Sequence, residues 1–138
     1  MNEKRKLFLI VIAAVEASTG LGLLLLPSVA FALLLGLESD TVEAIFVGRI
    51  AGAALLAIGA ASWMARHDEV NHSLFGLLIG TLIYNTAVSI LLVYAGAVLK
   101  MTGVMLWPTV AFHALLAVWG GLLLRGISSE LRAQTGDN

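Results

Sequence analysis

Four strongly polar side chains stand inside apolar stretches of this 138-residue chain: Glu16, Arg49, Asn85 and His113. A carboxylate and an imidazole can exchange protons, a guanidinium can hold an anion, and a carboxamide can both donate and accept hydrogen bonds. Helical spacing adds weaker polar groups. Thr81, Asn85 and Ser89 recur at i, i+4 and i+8, forming one stripe, while Thr109 lies one turn before His113 and Thr19 about one turn after Glu16. Tyr84 neighbours Asn85 but points about 100° away around a helix, which predicts a place at the edge of any common cavity.

The elements that hold these residues follow from composition. The chain is 59% apolar and 12% charged, with 14 glycines outside the apolar count. Average domains carry about 25% charged residues. So little charge cannot cover a water-facing surface, which excludes a soluble domain as well as a disordered one. The lack of cysteine excludes disulfides, thiolate metal sites and iron–sulfur clusters. A net charge of −1 provides no footprint for nucleic acid. An integral membrane protein remains, with the lipid bilayer as its first partner.

A spanning helix needs about 20 mostly apolar residues. Four stretches meet that need, at about 7–26, 42–65, 73–99 and 104–124. Lipid offers no partners to open backbone groups, so all four must be helical. The expectation is an all-α, integral membrane four-helix bundle forming a single transmembrane domain over 1–138. Pro27 ends the first span and opens a short interfacial or re-entrant helix at about 27–35. The N-terminal Lys4-Arg5-Lys6 followed by an apolar run looks like a signal peptide, but Glu16 interrupts the run and hydrophobic residues continue to Leu26, so it reads as a retained helix. Asp40 and Glu43 have capping-box spacing for the second span, Asn71 is placed to cap the third, and Pro108 falls in the first turn of the fourth. Residues 128–138 read as a frayed helix end and polar tail.

Alternating spans place Lys4, Arg5, Lys6, Arg66, Arg125 and Arg132 on one side and Lys100 on the other. By the positive-inside rule both termini face the cytoplasm, with Trp63 and Trp107 at opposite interfaces. Gly48-x-x-x-Gly52, Ala57-x-x-x-Ala61 and Gly76-x-x-x-Gly80 mark expected helix-packing faces.

Measured from the span midpoints, Glu16, Arg49, Asn85 and His113 all lie within roughly 6–7 Å of the bilayer centre. A charge at that depth costs about 2.5–3.5 kcal/mol even on the lenient insertion scale. Two readings are open. Glu16 and Arg49 form an ion pair that fixes helix register, or Arg49 holds an anionic group while Glu16 exchanges a proton. One histidine, one glutamate and one asparagine make a poor zinc or iron site, so no metal is expected. A lone intramembrane histidine excludes bis-histidine haem inside the bundle and leaves haem on His113 alone conceivable; no cofactor is predicted. His67, Asp68, Glu69 and His72 read as a solvated turn, and Glu38, Asp40 and Glu43 as solubilising and capping groups. No phosphate loop, hydrolase elbow or zinc-protease motif is present, so there is no catalytic residue to name.

Glu16 followed by Gly20-Leu21-Gly22 and Pro27, then Gly48-Arg49-Ile50-Ala51-Gly52 leading to Trp63, then Tyr84-Asn85 and His113, make an ordered series. This series resembles small bacterial membrane proteins of the DoxX-like, four-helix type. The resemblance implies an inner-membrane bundle, associated in some relatives with quinone-linked oxidoreductases, and it transfers no residue role. A single Glu in the first of four helices also looks like the small multidrug transporters, in which an acidic residue couples proton and cation binding. Arg49 departs from that pattern because it would repel a cation.

The functional expectation is a transporter-like protein that binds or moves a small polar, anionic or amphipathic ligand at Glu16, Arg49, Asn85 and His113, flanked by Tyr84, Thr81, Ser89 and Thr109. The alternative is a structural or accessory subunit of a larger membrane complex, including a quinone-linked oxidoreductase, with homo-oligomers or partner subunits packed on its small-residue faces.

Overall fold

The computed structural model describes residues 2–37 and 41–136, all in helices and short connections, with no strand among them. The helices are α1 (Asn2–Leu25), α2 (Pro27–Leu35), α3 (Val42–Ala65), α4 (His72–Ala97) and α5 (Leu106–Thr135). Four of them, all but α2, are long and apolar enough to cross a membrane.

Local chemistry sets their ends. Pro27 occupies the first turn of α2, where a missing N–H costs nothing. Gly36 closes α2 in the left-handed region at φ 71°, its N–H reaching Ala32 O at 3.0 Å. The α3 cap is Thr41, whose hydroxyl accepts from the Ala44 N–H at 3.3 Å. The expected capping box is therefore shifted: Glu43 sits in the first turn, and Asp40 and Glu38 lie outside the described residues. Asn71 caps α4 as expected, accepting from the Leu74 N–H at 2.8 Å. Pro108 falls in the first turn of α5.

Two helices outrun their apolar segments. α1 begins at Asn2, and α5 continues to Thr135 where a frayed tail was expected. Ile127 explains part of that extension, since it is buried in the core and carries the helix past Arg125. Arg5 has a similar role at the start of α1. It is buried, and its guanidinium donates to Asp68 O at 2.7 Å, tying α1 to the α3–α4 turn.

The long helices form two antiparallel pairs. α1 packs along α3 and α4 along α5, while contacts between the pairs are far fewer. The α1–α3 seam is made by glycine. A Cβ on Gly52 would lie 2.7 Å from Gly20 O, one on Gly20 would lie 2.7 Å from Gly52 O, and one on Gly59 would lie 3.1 Å from Ala13 O. Such close backbone approach is how helices gain van der Waals contact in lipid. Gly48 lies on the same buried face of α3 but packs on α2, against Phe31 and Pro27. The other two expected small-residue faces point away: Ala57 and Ala61 are exposed, and Gly76 and Gly80 face open space.

Between the pairs the molecule is packed at one end and hollow at the other. Phe8, Leu9 and Ile12 of α1 meet Leu74 and Leu78 of α4 and Leu116, Leu123 and Ile127 of α5 in one apolar cluster. Phe8 stacks edge-on against Trp119 with ring centroids 5.3 Å apart. At the opposite end α2 bridges the pairs. The Met105 N–H donates to Leu33 O at 2.9 Å, and a Cβ on Gly103 would fall 2.1 Å from Leu34 O.

Candidate functional site

A polar tier marks the level where the packed half ends. Glu16 follows Ile12 and Ala13 on the buried face of α1 and is 1% exposed. The Tyr84 hydroxyl of α4 lies beside its carboxyl. One carboxyl oxygen, Oε1, is buried with no hydrogen-bond partner among the described residues.

Asn85 and His113 form the second half of the tier. Both are buried, on α4 and α5. The Asn85 Nδ2 donates to Thr81 O at 2.8 Å, which turns its Oδ1 toward α5, 2.7 Å from His113 Nδ1. Because Oδ1 can only accept, His113 Nδ1 must carry the proton, and the neutral ring then has its lone pair at Nε2. Thr81 is buried and donates to Leu78 O at 2.9 Å, and Ser89 donates to Asn85 O at 2.9 Å. The expected i, i+4, i+8 stripe is thus a ladder of side-chain-to-backbone bonds on α4 with Asn85 as its cross-helix member. Tyr84 and His113 also touch edge-to-face, with ring centroids 5.8 Å apart.

Above the tier, on the α2 side, lies a partly open cavity of about 800 Å³. All five helices contribute to its wall, which is almost wholly apolar: Leu23, Leu34, Leu55, Val88, Leu92 and Phe112 are representative. Tyr84 and His113 form its polar floor, and Thr19 and Thr109 are the remaining polar lining residues. Glu16 does not line it; Tyr84 stands in front.

Arg49 is the expected member that the fold keeps apart. It is exposed on α3 beside the exposed Phe46, Val47 and Ile50, lines no part of the cavity, and makes no ion pair with Glu16. The cause is the glycine seam. Gly52 must face α1 and Gly48 must face α2 for these helices to pack, which turns Arg49 outward. Arg49 thus stands apart from the other three residues, while Tyr84, expected at the edge of a common cavity, lines it and lies beside Glu16. Sequence reasoning missed Ser62, fully buried with no hydrogen-bond partner for its hydroxyl among the described residues. The spacing Gly48, Gly52, Leu55, Gly59, Ser62, Ala65 on the buried face of α3 is the signal that could have found it.

No group of three His, Cys, Asp or Glu side chains converges among the described residues, and His67 and His72 are exposed on the α3–α4 turn and at the start of α4. Comparison with family models, with curated proteins and with solved structures finds no match.

Proposed function

We propose that the chain is an integral membrane protein that binds an apolar or amphipathic small molecule in the cavity between its two helix pairs, with the polar end of the ligand on Tyr84 and His113. The observation that carries this reading is the cavity itself. Its volume, about 800 Å³, lies within the range of small-molecule sites, and its apolar wall with a few convergent polar groups has their usual make-up. A partly open cavity within a bilayer gives a lipid-soluble molecule a route from the acyl-chain region without passing through water. Since Arg49 is outside the cavity, an anionic headgroup loses its expected counter-ion and the amphipathic ligand is favoured.

The test is photolabelling of the purified chain in nanodiscs with an alkyl diazirine. Labels should concentrate on cavity residues such as Val88, Leu92 and Phe112. Labels confined to outward-facing residues such as Ile83 and Leu91 would refute the reading.

Arg49 supports a second reading, an accessory subunit. A guanidinium exposed among Phe46, Val47 and Ile50 is costly in lipid unless it snorkels or meets a carboxylate of another membrane helix. Purification in mild detergent should then yield a stoichiometric partner that Arg49→Gln releases. In either reading the basic residues place both termini in the cytoplasm, with α2 at the outer face as an interfacial or re-entrant helix. A bacterial inner-membrane location and kinship with DoxX-like proteins remain part of the proposal, resting on the ordered residue series alone.

A further inference from the structure

The hydrogen bonds behind the cavity floor all run in one sense. The proton on His113 Nδ1 is held by Asn85 Oδ1. Behind His113, Asn85 Nδ2 donates to Thr81 O and the Thr81 hydroxyl to Leu78 O. Each donor is thus committed to a group away from the cavity. What His113 has left for a ligand is the lone pair on Nε2, which has no hydrogen-bond partner among the described residues. The Tyr84, Thr19 and Thr109 hydroxyls can act in either sense, so the imidazole is the one lining group that can only accept. No cation lines the cavity among the described residues.

We infer that the cavity selects a molecule with an apolar body and a hydroxyl head, over an equally shaped ether, ketone or carboxylate. A hydroxyl can donate to His113 Nε2 or to the Tyr84 oxygen. An ether or ketone leaves Nε2 unpaired, and a carboxylate enters an apolar cavity that offers it no counter-charge among the described residues. Desolvated acceptors left without a donor are what make such sites discriminating. This inference rests on the binding reading above.

The test compares 1-tetradecanol, its methyl ether and tetradecanoate as competitors of alkyl-diazirine labelling at Val88 and Phe112, each at a defined membrane mole fraction. The alcohol should compete at a mole fraction about tenfold lower than the ether. His113→Gln should shrink that ratio. A measurement without mutation is the nitrogen-15 spectrum of labelled histidine: His113 should be protonated at Nδ1 only, and its Nε2 signal should move when the alcohol is added. Equal competition by alcohol and ether, stronger competition by the carboxylate, or a proton on Nε2 overturns hydroxyl selection while leaving ligand binding in place. Cavity labels absent in wild type, with no competition by any of the three, would remove the binding reading itself.

Discussion

The Tyr84 hydroxyl lies beside the buried Glu16 carboxyl, at the level where the packed half of the protein gives way to the cavity. Tyr84 occupies the place that charge pairing reserves for Arg49. A buried acid beside a neutral phenol and a basic side chain on the outside have different consequences for every variant of these three residues.

Arg49→Ala should leave the unfolding midpoint of the isolated chain in detergent nearly unchanged, because exposed side chains away from special features contribute within about 0.5 kcal/mol. A buried Glu16–Arg49 pair would instead lose about 3–5 kcal/mol on removal of one partner. Unfolding curves of Arg49→Ala and Glu16→Gln measured side by side distinguish the two.

Tyr84→Phe should destabilise the chain by about 1–3 kcal/mol, since it removes the hydroxyl beside a buried carboxyl. The effect should fall when Glu16 is already leucine. A double-mutant cycle over Glu16→Leu and Tyr84→Phe measures the coupling, and a coupling near zero would mean that the two groups do not interact.

Gly52→Val should disrupt the α1–α3 pair, because even its first carbon would meet Gly20 O at 2.7 Å. Overpacking of this kind costs about 1–3 kcal/mol or more. Gly80→Val, facing open space, should cost far less. Thermal unfolding of the two variants under identical conditions tests which of the small-residue faces is used within the chain.

With no native cysteine, the chain suits single-cysteine accessibility mapping. Ser129→Cys should react with a membrane-impermeant maleimide only from the side that also reaches Glu3→Cys, and Thr102→Cys only from the opposite side. Reaction of Thr102→Cys and Ser129→Cys from the same side would rule out the alternating arrangement.

Length and hydrophobicity made the four long helices legible, and Pro27 did the same for α2, because those signals act locally along the chain. Asn71 was legible for the same reason. The convergence of Glu16, Asn85 and His113 at one depth could be counted in residues per turn. What could not be counted was rotation. Position along an axis leaves the angle around it open, and for Arg49 that angle is set by Gly48 and Gly52 meeting α1 and α2, contacts that exist only once the helices are paired. The same ambiguity hid Tyr84: 100° from Asn85, it faces α1 while Asn85 faces α5. Nor could the cavity be read, because Val88, Leu92 and Phe112 have the same composition as residues that face lipid.

The asymmetry between the two ends has a mechanical meaning. Phe8 and Trp119, with the cluster around them, act as the pivot of a pair of tweezers whose arms are α1–α3 and α4–α5. Across the arms, α2 is a strap whose backbone fastening is the bond from Met105 to Leu33, worth about 0.5–1.5 kcal/mol. Parting the arms at that strap would widen the hollow end while leaving the pivot untouched.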